Sequence, residues 1–176
     1  VTNFKTGKAV IKLPGLILDA LEVMSSQERE LFHVTFIGGG EGLENFQERI
    51  KSLGYREFVH CFSFRKKEEL AELMRTYDAL VHPSVAETFG VVVAEALCSG
   101  LPCVVSNVPA LDELILENNG ILVSDNSPEK WKDALIVLRQ KCHTFDRLAI
   151  AANSKKLYNS DRIGRLIVEN YSEQFA

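Results

Sequence analysis

The chain has 176 residues, 46% hydrophobic and 25% charged, with a formal net charge of −4. That length and balance fit one soluble globular domain with a substantial core. The acidic balance argues against nucleic acid or an anionic membrane as the main partner. No stretch approaches the roughly 20 apolar residues of a membrane span, and the start does not read as a signal peptide. The four cysteines, Cys61, Cys98, Cys103 and Cys142, form no C-x-x-C pair. They read as buried free thiols in a reducing, cytoplasmic compartment. The chain opens at Val1, without a Met, inside an apparent strand. It is therefore expected to be one domain over 1–176, cut from a longer protein.

In chain order, residues 1–4 read as a strand. Residues 14–24 read as a helix, with Leu16, Ile17, Ala20, Leu21 and Met24 at helical spacing. A strand over 34–37 and a helix over 43–53 follow, then a strand over 58–62 and a helix over 68–75. Residues 79–82 form a short buried strand, and Pro83 keeps His82 extended. A helix then runs from about Gly90 to Cys98, stopped by Gly100 and Pro102. A strand over 103–106, a short helix over 111–117 and a strand over 121–123 come next. Ser127 caps a helix that has Pro128 at its first position and Trp131, Leu135 and Leu138 on its buried stripe. Helices over 145–158 and 161–175 complete the chain. This alternation predicts an α/β, Rossmann-like, doubly wound fold. The expected sheet is six-stranded and all-parallel, in the order 3-2-1-4-5-6, with helices on both faces. Ligands of such sheets bind outside the C-terminal ends of the strands.

The richest segment runs from His82 to Gly100 and holds Glu87 and Glu95 with seven residues between them. Glu95 sits in an apolar run, where an ionised carboxylate costs several kcal/mol, by order of magnitude, unless a polar group meets it. Glu87 falls just ahead of the helix. Glu95 falls about 8 Å along its axis, at ~1.5 Å per residue. The two can bracket one elongated ligand with hydroxyl groups. Between them, the free N–H groups near Phe89, Gly90 and Val91 and the helix dipole favour a phosphate. Gly38-Gly39-Gly40 with Gly42 fails the G-x-G-x-x-G spacing, because Leu43 stands at the third glycine's place. It reads instead as a tight strand-to-helix turn.

Glu87-Thr88-Phe89-Gly90 with Glu95-Ala96-Leu97-Cys98-Ser99-Gly100-Leu101-Pro102 resembles the E-x7-E region of retaining glycosyltransferases of family 4, or group 1, with the two-domain GT-B fold. Val34 to Glu41 resembles the family's strand and glycine turn. Asp112 to Ile115 and Asn119 to Val123 resemble a further family segment. The resemblance implies the C-terminal, donor-binding half of such an enzyme. Its substrate would be a nucleoside-diphosphate sugar, with no cofactor and no metal. An N-terminal acceptor-binding domain would be the missing partner.

It implies that Glu95 binds the ribose and Glu87 the transferred sugar. Thr88, Phe89, Gly90 and Val91 would line the donor site, with Gly39 on the glycine turn. The segment around Phe64 would face the nucleobase. The family's phosphate-binding Lys falls on Lys12, with Lys5 and Lys8 as alternatives. Its first-strand Arg is missing, since Asn3 or Lys5 stands there. Glu87 and Lys12 are the expected catalytic residues. A non-catalytic nucleotide-binding or regulatory module on the same fold, or a sugar-nucleotide epimerase, is the alternative. His82 and His60 read as core or rim histidines, and His33 and His143 belong to no motif.

Overall fold

The structure is a computed structural model that describes the backbone of residues 2–3 and all of residues 12–158. Six parallel strands alternate with helices in these regions: β1 (Thr2–Asn3), β2 (Val34–Gly39), β3 (Val59–Phe62), β4 (Leu80–His82), β5 (Cys103–Ser106) and β6 (Gly120–Val123). The helices are α1 (Pro14–Glu22), α2 (Ser26–Arg29), α3 (Leu43–Ser52), α4 (Lys67–Thr76), α5 (Val91–Cys98), α6 (Pro128–Lys141) and α7 (Arg147–Leu157). The fold is the α/β, Rossmann-like class expected, with parallel pairing throughout the named strands.

Among the described residues the strands run β3-β2-β1 and β4-β5-β6, two runs that match the expected order 3-2-1-4-5-6, and residues 4–11, which follow β1, lie outside the described residues. Thr2 and Asn3 pair with Gly38 and Gly39, at the far end of β2. The chain next reaches the β4 end through an antiparallel bridge of Lys12 with Ser84 and a Leu13 N–H donated to the Pro83 carbonyl at 3.0 Å. A cavity of about 500 Å³ lies between β2 and β4, walled largely by apolar side chains such as Ile17, Phe36, Leu80 and Leu138. Lys12 and His82 border it, but neither Glu87 nor Glu95 does.

Packing explains the rest. All three valine and cysteine positions of β5, Cys103 to Val105, are fully buried, as a strand covered on both faces requires. In α1, Leu16, Ile17, Leu18, Ala20 and Leu21 are buried, and the helix packs on α6. Arg49 of α3 reaches back to Asp19 and Glu22 of α1, at 2.5 Å each. Ser127 caps α6 as expected, accepting from the Lys130 N–H.

Three details differ from the sequence reading. Residues 111–117 form turns rather than a helix, after Ala110 at φ 73° turns the chain. The α2 helix was not anticipated, although Ser25 and Glu28 form a reciprocal capping box at its start. The helix expected over 161–175 lies outside the described residues, as do Lys5 and Lys8.

Candidate functional site

The loop after β4 carries the site. Gly90 ends it in the left-handed region, at φ 78° and ψ 48°, and α5 starts at the next residue. An L-residue there would be strained, and its Cβ would lie 2.4 Å from Leu111 Cδ2. The turn leaves the N–H groups of Gly90, Val91 and Val92 without carbonyls one turn back. Phe89 and Val91 are exposed beside them, and so is Thr88.

A buried polar network fixes the path of this loop. The Ser84 N–H donates to Ser106 Oγ at 2.9 Å. Ser106 Oγ donates to Asn126 Oδ1 at 2.7 Å, and Asn126 Nδ2 returns to the Ser84 carbonyl at 3.0 Å. The Trp131 indole N–H completes it, donating to Asn126 Oδ1 at 3.1 Å. The ends of β4 and β5 are thereby locked to the start of α6. The sequence reading singled out none of Ser84, Ser106 and Asn126. Their only early signal is polarity at the ends of buried strands.

Ahead of α5 three side chains converge. Lys12 Nζ forms an ion pair with Glu87 Oε1. His82 Nε2 stands 2.8 Å from the same Glu87 oxygen and 3.0 Å from Lys12 Nζ. Burial pushes the Lys12 ammonium below its ordinary pKa. His82, only 2% exposed, is pushed down to about 3 by burial and then by the Lys12 charge. The ring is therefore neutral. Glu87 does not hold it as an imidazolium, because its charge is already engaged by Lys12.

Lys12 and Glu87, both expected at the site, thus meet, while the alternatives Lys5 and Lys8 lie outside the described residues. His82, which reads in the sequence as a core or rim histidine, joins them. Glu95 is half-buried on α5, and its carboxylate makes no hydrogen bond or ion pair among the described residues. Gly39 closes β2, with open space where a Cβ would stand. Phe64, in the loop after β3, is 75% exposed. Neither bonds to the Lys12–His82–Glu87 cluster. No group of three His, Cys, Asp or Glu side chains with metal-binding geometry occurs among the described residues.

Comparison with known proteins bears on the family and the fold. The family model described as Glycosyl transferases group 1 matches residues 11–154. The D-inositol 3-phosphate glycosyltransferase of Corynebacterium diphtheriae is 31% identical over 147 residues, covering 80% of this chain and 34% of the relative. That of Paenarthrobacter aurescens is 29% identical over 168 residues, covering 93% of this chain and 41% of the relative. The chain thus spans well under half the length of these curated relatives. Among solved structures, Anabaena Alr3699/HepE in complex with UDP superposes with a TM-score of 0.79 at 22% identity, covering 97% of this chain and 48% of that one. The same protein in complex with UDP-glucose gives 0.77 at 23%. At these identities the superpositions show the fold alone, that of the C-terminal half of GT-B enzymes. With the family model spanning α1 to α7, the chain belongs to the group 1 glycosyltransferases.

Proposed function

We propose that this domain binds a nucleoside-diphosphate sugar and serves its transfer, with retention of anomeric configuration, to an acceptor hydroxyl. The observation that carries the reading is the meeting of Lys12 and Glu87 ahead of the α5 N-terminus, with the Glu95 carboxylate unengaged among the described residues further along the same helix. In this reading the Gly90–Val92 amides and Lys12 stabilise the leaving diphosphate, whose charge grows in the transition state. Glu87 orients the sugar and Glu95 holds the ribose hydroxyls. Thr88, Phe89 and Val91 border the phosphates. Gly39 admits close approach at the end of β2, and the Phe64 loop faces the base. The charge is met by an ammonium and a helix terminus, so the reading invokes no divalent ion. The four cysteines are free, which fits a cytoplasmic setting. The described helices include none long and apolar enough to cross a membrane.

Titration calorimetry with UDP and UDP-glucose tests the reading. The wild-type chain should bind both, and Glu95→Gln should weaken both by about 1–3 kcal/mol, the range for a hydrogen bond to a charged group. Unchanged affinity in Glu95→Gln would remove Glu95 from the site. Absence of binding to any nucleoside diphosphate would remove the reading itself.

Transfer is a separate matter, because no side chain of the described site supplies an acceptor cleft. The domain alone should bind donor with negligible sugar transfer, and activity should appear when it is joined to an N-terminal acceptor-binding domain. Closure of two domains over the donor would then exclude water. Robust transfer by the 176 residues to a defined acceptor would overturn this two-domain account.

A further inference from the structure

The cluster ahead of α5 contains a conflict of hydrogen bonding. His82 Nε2 faces Lys12 Nζ at 3.0 Å and Glu87 Oε1 at 2.8 Å. A neutral imidazole nitrogen either accepts or donates, never both. To accept from Lys12 the ring must carry its proton on Nδ1. To donate to Glu87 it must carry it on Nε2. Nδ1 has no hydrogen-bond partner among the described residues, so the partners of Nε2 decide the tautomer. While Lys12 bridges to Glu87, the ammonium satisfies both neighbours and the ring accepts. Once Lys12 turns away, Glu87 loses its counter-charge and Nε2 loses its donor. The ring can then give Glu87 a hydrogen bond in place of the ammonium's by presenting Nε2–H to the carboxylate.

We propose that His82 is a positioning residue of the donor site, holding the Glu87 carboxylate in place when Lys12 leaves it for the diphosphate of the donor. The inference rests on the donor-binding reading above. The exchange is balanced: one proton leaves Nδ1 to water, one arrives on Nε2 from water, and the ring stays neutral. Arrival of phosphate at Lys12 is thereby coupled to the orientation of the carboxylate on the sugar side. His82 touches neither phosphate nor sugar in this scheme and acts only through Glu87. Its position as the last residue of β4, ahead of Pro83 and a loop fixed by the Ser84–Ser106–Asn126 network, keeps the ring from following Lys12.

Two measurements on the 176-residue chain test it. The first needs no ligand. Long-range proton–nitrogen NMR on imidazole-labelled protein reports which His82 nitrogen bears the proton. In the wild type Nε2 should be unprotonated. In Lys12→Met, which takes the ammonium away permanently, Nε2 should be protonated, with Lys12→Gln as the substitute if the first variant does not fold. The same protonated nitrogen in both proteins would overturn the proposal.

The second compares affinities for UDP and UDP-glucose. His82→Leu should lower the preference for UDP-glucose over UDP by about 3- to 10-fold, while His82→Gln, whose amide reaches toward the Nε2 position, should restore most of it. Equal weakening of both ligands in His82→Leu, without rescue by Gln, would reduce His82 to a packing role and overturn the proposal. If the wild type bound neither nucleotide, the donor reading would fail, while the NMR comparison would still decide the behaviour of His82.

Discussion

Trp131→Ala should lower the unfolding free energy by about 3–5 kcal/mol, the usual cost of emptying a large aromatic site in a core. Trp131 is completely buried on α6 and is the largest fully buried side chain. Its indole N–H is also the donor that α6 contributes to Asn126. The cavity and the lost donor therefore act together at the network that fixes the loop to Glu87. Trp131→Phe separates the two effects, since it keeps most of the packing and removes only the N–H. Ser106 Oγ still donates to Asn126 Oδ1 in that variant, so the added loss should be modest, about 1–2 kcal/mol. Urea unfolding followed by circular dichroism gives both values from the midpoints and slopes. A loss below about 1 kcal/mol in Trp131→Ala would show that the core around α6 collapses freely around a missing side chain.

Acid should destabilise the domain well before its carboxylates titrate. The His82 imidazole is neutral in the fold, with its pKa pushed down to about 3 from an ordinary 6.5. Between those values the unfolded chain binds a proton that the folded chain refuses. Stability is fully present above about pH 6.5 and falls steadily as the pH drops toward 3. The full loss is of the order of 5 kcal/mol, at about 1.4 kcal/mol per unit of pKa. Glu28 and Asp125 carry carboxyls held below their usual values by hydrogen bonds from Ser25 and Ser127. Their contributions are also lost in acid, but only below the ordinary carboxylate range. The interval from pH 6.5 to 5 therefore isolates the histidine. Urea midpoints across that interval should fall in the wild type and stay nearly level in His82→Gln. A level wild-type profile would mean that the site opens to water and admits the proton without unfolding.

What the sequence disclosed, and what it withheld, follows the reach of the interactions. Local signals carried the elements. Ser127-Pro128 set the start of α6, and Gly90 and Gly100 set the two ends of α5, because each acts within one turn of chain. The E-x7-E spacing likewise puts Glu87 ahead of α5 and Glu95 within it. The Lys12–His82–Glu87 cluster was only half legible. Lys12 and His82 are separated by 70 residues, and no periodicity connects them. The histidine looked like core because it is core, buried to the same degree as its apolar neighbours. Asn126 escaped notice because its partners Ser84 and Ser106 come from two other strands' ends. Residues 111–117 misled in the opposite direction. Their apolar spacing suits a helix, but the positive φ of Ala110 and the contact of Leu111 and Leu114 with the Gly90 turn hold them as turns.

The spread of the proposed site along the chain bears on how ligand and fold share free energy. Gly39 and Phe64 belong to the first half of the chain, while Glu87, Gly90 and Glu95 belong to the second. The helices of the two halves also meet, α1 against α6. A nucleotide sugar held as proposed would touch both halves and behave as a non-covalent crosslink. At a hundredfold excess over its dissociation constant it would add about 2.7 kcal/mol to the folded state. Amide exchange would register that gain in β2 and β3 as well as around α5.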